Sequence, residues 1–250
     1  MNKLIIANWK MNPASEKEAE KLLIATSKKT KMLKGLDLIV CPPFPFIYLF
    51  KKNKITKITL GAQNSHKELE GSYTGEVSVG MLAGLGVKSI ILGHGERRKL
   101  GESDEFINQK IITLLKNKIT PVFCIGENQR DGDGNYLSFI EDQIKKGLNG
   151  ISKSQTKNII IAYEPLWAIG KNAEREAAPE EFVEIKIFIK KIISDLYDTK
   201  SAQGIKIIYG GSINSNNAKS FLEAGADGLL VGRDSINIKK FEALLDAIKK

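Results

Sequence analysis

Short apolar runs rich in β-branched residues recur at 4–8, 36–41, 58–63, 89–93, 120–125, 158–163, 205–209 and 228–232. Each is continuous rather than alternating, the pattern of strands covered on both faces. Longer segments between them carry helical spacing. Residues 15–29 place Ala19, Leu22, Leu23 and Thr26 on one face, with Glu and Lys opposite. Phe106, Ile107, Lys110, Ile111, Leu114 and Leu115 repeat the stripe, as do Phe182, Ile185, Ile189, Ile192, Ile193 and Leu196. Ser15 followed by Glu18 predicts a capping box, and Pro179-Glu180-Glu181 a first helical turn. Glycines at 86 and 150 mark helix ends.

Eight strands alternating with helices in 250 residues are the arithmetic of a (β/α)8 barrel. Periodicity leaves a doubly wound open α/β sheet as the structural alternative. No linker-like stretch divides the chain, so residues 1–250 are expected to form one domain.

Composition narrows the function classes. At 42% hydrophobic and 27% charged, the chain is neither disordered nor fibrous. Cys41 and Cys124 are too few for a disulfide framework, and with two histidines they make a poor structural metal set; no metal or cofactor is expected. No run approaches the ~20 apolar residues of a membrane helix, and the first apolar run is too short for an export signal. The expected location is a reducing cytoplasm. The net charge of +9 comes mostly from lysines scattered among glutamates, while arginine occurs only at 97, 98, 130, 175 and 233. Such scatter describes a solvated surface, not a nucleic-acid groove.

In a barrel of this kind the chemistry sits at the C-terminal ends of the strands. Glu164 ends an apolar run and precedes Pro165, which favours an extended backbone. As an isolated residue it could be a solvated loop carboxylate. Inside a barrel mouth it would be partly desolvated and suited to act as a general base. His94 follows Ile91-Leu92-Gly93. It could simply cap the helix that Glu96 begins; beside that helix's positive end, a neutral imidazole could also donate a hydrogen bond to a carbonyl oxygen. His66 lies in the polar stretch Ser65-His66-Lys67-Glu68 and is expected to be solvated. Lys10 stands just past the first strand beside Trp9, where an ammonium would meet an anionic substrate. The turns Gly210-Gly211-Ser212 and Gly232-Arg233 follow strands seven and eight, where barrels often hold phosphate on backbone N–H groups. A base, a neutral electrophile, a cation and a phosphate cradle on one rim point to proton abstraction beside a carbonyl, as in an aldose–ketose isomerase acting on a small sugar phosphate.

The segments Asn8-Trp9-Lys10-Met11-Asn12, Gly61-Ala62-Gln63-Asn64, Tyr73-Thr74-Gly75-Glu76-Val77-Ser78, Ile91-Leu92-Gly93-His94, Glu96-Arg97-Arg98, Ala162-Tyr163-Glu164-Pro165 with Trp167-Ala168-Ile169-Gly170, and Tyr209-Gly210-Gly211-Ser212 occur in that order. Together they resemble the triosephosphate isomerase family. The resemblance implies a TIM barrel that interconverts dihydroxyacetone phosphate and glyceraldehyde 3-phosphate through an enediolate. That family is also a standard illustration of a glutamate base working with a neutral histidine. By the resemblance Glu164 is the base and His94 the electrophile. Asn8 and Lys10 bind substrate, with Lys10 also placed among the catalytic groups. The N–H groups of Gly170, Ser212, Gly232 and Arg233 hold the phosphate. Trp167 to Gly170 begin a lid, which Tyr209 and Ser212 latch. The 64–76 loop carries Thr74 into a second subunit, making a homodimer.

Three positions depart from the family's pattern. Gly95 replaces a usual serine whose hydroxyl helps orient the base. Arg233 replaces a second glycine. Residues 171–178 make a lid tip about two residues longer than usual. The last two features are similar to a branch that isomerises four-carbon ketose phosphates of the erythrulose phosphate type, the first alternative activity. The alternative of another class is a sugar-phosphate-binding barrel without catalysis.

Overall fold

The computed structural model describes residues 2–170, 173, 175 and 176–249. Lys171, Asn172 and Glu174, in the expected lid tip, lie outside the described residues.

The strands are β1 (Lys3–Asn8), β2 (Leu36–Cys41), β3 (Thr59–Ala62), β4 (Ser89–Leu92), β5 (Thr120–Ile125), β6 (Ile160–Tyr163), β7 (Lys206–Tyr209) and β8 (Gly228–Val231). All neighbours are parallel, and the sheet closes in sequence order as β8 returns to β1 from Leu4↔Gly228 to Ala7↔Val231. Closure excludes the open-sheet alternative. The longer helices are α1 (Glu16–Lys31), α5 (Asp104–Lys116), α6 (Asn135–Gly147), α7 (Pro179–Leu196) and α10 (Ile238–Ala247). Shorter ones are α2 (Leu49–Lys52), α3 (Val79–Gly84), α4 (Gly95–Arg98), α8 (Thr199–Gly204) and α9 (Ala218–Glu223).

Local chemistry sets the element ends. Ser15 accepts the Glu18 N–H and caps α1. Ser103 does the same for α5 through Phe106. At α7 the cap is half a box: Ala178 has no acceptor side chain, but its N–H donates to the Glu181 carboxylate at 2.8 Å.

Two apolar layers result. Leu4, Ile6, Ile39, Cys41, Ile91, Val122, Cys124, Ile160, Ala162, Ile208 and Leu230 form the smaller core cluster. The opposite faces of the same strands pack on the helix stripes in one continuous larger core. The strands are thus buried on both faces, which is why their sequences do not alternate. Lys110, within the apolar stripe of α5, is only 1% exposed. Its ammonium bonds Glu102 at 2.7 Å and Asn64 at 2.9 Å and sits over the Phe106 ring. Burial pulls the Lys110 ammonium below its ordinary range, against the pull of Glu102. This knot ties α5 to the base of the 64–76 loop.

Candidate active site

At the C-terminal ends of the strands lies a cavity of about 750 Å³, lined by residues that include Asn8, Lys10, His94, Glu164, Gly170, Ser212, Gly232 and Arg233. These eight candidates reach one space, while Thr74, Trp167 and Tyr209 do not line it.

Glu164 is 2% exposed. Its N–H is held by the Ile125 carbonyl at 2.8 Å, and the next strand's Gly210 N–H donates to the Tyr163 carbonyl at 2.8 Å. The end of β5 approaches so closely that a Cβ on Gly126 would stand 1.9 Å from the Glu164 carbonyl oxygen, so only glycine fits there. The carboxylate is pinned from one side: Oε2 accepts the Gly95 N–H at 3.0 Å. Oε1 lies 3.1 Å from His94 Nε2, without the alignment of a hydrogen bond, and is left without a hydrogen bond among the described residues. Burial pushes the nearby Cys124 thiol well up, and the charge of Glu164 adds to the effect.

His94 caps a helix and also faces the cavity. It is the N-cap of α4, its Nδ1 accepting the Glu96 N–H at 3.2 Å. A nitrogen that accepts carries no proton, so the proton of the neutral ring resides on Nε2, the atom that faces Glu164.

Lys10 adopts a left-handed backbone, φ 53°, uncommon for a residue with a side chain. Asn8 Oδ1 accepts the Lys10 N–H at 3.0 Å, and Gln63 Nε2 donates to the Lys10 carbonyl at 2.8 Å. The ammonium rests on Glu96 at 2.6 Å. Burial pushes the Glu96 carboxyl up; the hydrogen bond and charge of Lys10 outweigh that and leave it below the ordinary carboxylate range.

The glycine turns form the far wall. Gly170 has φ +94°, a conformation that favours glycine. Ser212 Oγ donates to the Ala168 carbonyl at 2.9 Å, joining the turn after β7 to the segment after β6. Tyr209 is buried, stacked on Phe221 at 3.7 Å between ring centroids. Arg233 is exposed at the cavity's edge and opens a short 3₁₀ turn after β8.

Several supports escaped the sequence reading. Glu127 Oε1 accepts from Tyr163 at 2.8 Å and from Trp167 Nε1 at 2.7 Å, bracing the strand end that carries Glu164. Burial raises the Glu127 carboxyl above its ordinary range, with those two donors partly offsetting it. Gln63 ends the third apolar run, so the strand-end rule that found Lys10 and Glu164 would have found it too. His66 is a correction: it is 8% exposed rather than solvated, with its ring 4.3 Å from that of Tyr73. The long loop folds back on itself and removes the imidazole from water, which local polarity does not reveal.

The closed parallel barrel, with a buried carboxylate and an imidazole facing one cavity at its C-terminal face, defines the class: a (β/α)8-barrel enzyme. The sequence model described as triosephosphate isomerase matches residues 3–248. The chain is 41% identical over 249 residues to the triosephosphate isomerase of Aquifex aeolicus (strain VF5), covering 98% of this chain and 99% of that one. It is 40% identical over 245 residues to that of Carboxydothermus hydrogenoformans, covering 96% of each. It is 39% identical over 243 residues to that of Dictyoglomus turgidum, again covering 96% of each. The chain belongs to the triosephosphate isomerase family.

Proposed function

We propose that this protein interconverts dihydroxyacetone phosphate and glyceraldehyde 3-phosphate, a step of glycolysis and gluconeogenesis, by proton transfer between neighbouring carbons. The observation that carries the reading is the buried Glu164 carboxylate 3.1 Å from His94 Nε2, whose other nitrogen is occupied by the Glu96 N–H. Glu164 leaves the Gly95 N–H and takes the proton from the carbon beside the substrate carbonyl. The electron pair moves into an enediolate. His94 Nε2–H meets the charge developing on oxygen, where a fixed donor stabilises the transition state more than the substrate. Glu164 returns the proton to the adjacent carbon. Lys10 exchanges Glu96 for the anionic substrate, and Asn8 supports the Lys10 turn. The N–H groups of Gly170, Ser212, Gly232 and Arg233 take the phosphate. No cofactor or metal enters the scheme.

The protein works in the cytoplasm as a homodimer joined through the 64–76 loop. Supporting this, Met11, Phe44, Tyr48, Tyr73 and Met81 are all exposed and follow the adjacent strands β1, β2 and β3. An apolar patch of this kind marks an interaction surface. Among the described residues no helix is long and apolar enough to cross a membrane.

The test is a coupled assay with glyceraldehyde 3-phosphate, run in parallel with a four-carbon ketose phosphate. The expected result is a higher kcat/KM for the triose. A higher value for the four-carbon substrate would move the assignment to that branch, and turnover of neither would leave a binding barrel.

A further inference from the structure

Gly95 is buried, and its backbone lies outside the left-handed region where glycine is favoured, so its conformation does not require glycine. Space does. A Cβ at this position would lie 2.4 Å from Leu166 Cδ2 and 3.3 Å from Leu166 Cδ1. The isobutyl group of Leu166 occupies the volume that a side chain at 95 would fill.

Both partners of this contact touch the reacting centre's supports. The Gly95 N–H is the hydrogen-bond donor to Glu164 Oε2. Leu166 stands two residues beyond Glu164, opens the short 3₁₀ turn Leu166–Ala168, and is itself fixed by its N–H donating to the Glu127 carbonyl at 3.0 Å. It is half-buried and lines the cavity.

We infer that Leu166 is a positioning residue for Glu164, acting through its seat on Gly95. The inference rests on Glu164 being the base. The contact keeps the turn after β6 at a fixed distance from the start of α4. That distance sets where the Gly95 N–H meets the carboxylate. An apolar group on that side also keeps water from replacing the backbone donor. The glycine and the leucine are therefore one complementary unit: enlarging the first must displace the second, and shrinking the second leaves the base with a loose resting place.

Gly95→Ala, Leu166→Ala and the double variant test this, each checked for its native melting transition. Wild-type turnover of glyceraldehyde 3-phosphate is measured first; its absence overturns both the isomerase reading and this inference. With wild-type turnover present, each single variant is expected to lose kcat by ~10- to 100-fold with KM changed less than about threefold, as small misplacements of a reacting group do. In the double variant the added methyl occupies space that the leucine has vacated, so kcat is expected to recover at least about tenfold over Gly95→Ala, a non-additive outcome. Losses that simply multiply in the double variant, or that fall mainly on KM, overturn the pairing while leaving the isomerase reading intact. Should Gly95→Ala fail to fold, Leu166→Ala decides alone: wild-type kcat there overturns the inference, and a fall confined to kcat supports it.

Discussion

Glu164→Asp withdraws the carboxylate by one methylene while keeping its charge. The expected loss in kcat is ~10²-fold, the scale at which small displacements of a reacting group act. Its melting temperature should stay within a few degrees of wild type, because the backbone holding residue 164 is fixed by Ile125 and Gly210 rather than by the side chain. Full activity would remove Glu164 as the base. His94→Gln should lower kcat more than it raises KM, since Nε2–H acts on charge that develops only in the transition state; steady-state kinetics separate the two, and a change confined to KM would make the residue a binder only. At this scale the sequence reveals residue types and strand ends, and these sufficed to bring Glu164, His94 and Lys10 to one cavity. It does not reveal volume or solvent exposure after folding. Gly95 reads in sequence as a missing hydroxyl, whereas in space it is a seat for Leu166. Lys110 sits in an apolar stripe without announcing that Glu102 and Asn64 meet it from elsewhere.

Among the elements, β2 and β5 run over the residues that the sequence predicts, and the other strands differ by one or two at an end. Continuous apolar runs are easily read because burial on both faces demands them. Helices α2, α8 and α9 have too few turns to establish a period, and they were not separately legible; α4 is legible only from its cap and Glu96. The start of α7 supplies a prediction. Glu181 accepts both guanidinium nitrogens of Arg175, at 2.6 and 2.8 Å, and Arg175 lies over the Trp167 ring at 4.4 Å. The Arg175 hydrogen bonds pull the Glu181 carboxyl from 4.5 to about 2, against the opposing effect of burial. A carboxyl lowered by folding contributes stability above its unfolded value and loses it as pH falls through the folded one. The difference in melting temperature between wild type and Glu181→Gln should therefore be constant above about pH 5.5 and shrink from about pH 4.5 toward pH 2. A difference independent of pH across that window would show that the ionised carboxylate contributes nothing.

At the scale of the molecule, the alternation of strands and helices predicts the barrel, but the closing β1–β8 pairing joins residues from opposite ends of the chain and leaves no periodic trace. Assembly is legible only indirectly. The 64–76 loop is long for a compact barrel, which marks it as functional. Its base is held by Lys110 on Asn64, and its tip, with Tyr73 and Thr74, is exposed. We expect a homodimer whose dilution below its dissociation constant lowers specific activity, because the exposed Met11 directly follows Lys10 and belongs to the face proposed as the interface. Sedimentation at assay concentrations checks this, and a fully active monomer would overturn it.

The chain has two tryptophans: Trp9 lines the cavity, and Trp167 is buried between Leu166 and Ala168, which line it too. Trp9 is 1% exposed and lines its wall, while Trp167 donates to Glu127 under the Arg175 guanidinium. All indole emission from the protein thus originates at the cavity wall or from the turn two residues past its carboxylate. Ligand binding can be followed by intrinsic fluorescence without a label, and a Trp9→Phe variant would leave Trp167 as a lone reporter on the 3₁₀ turn that follows Glu164.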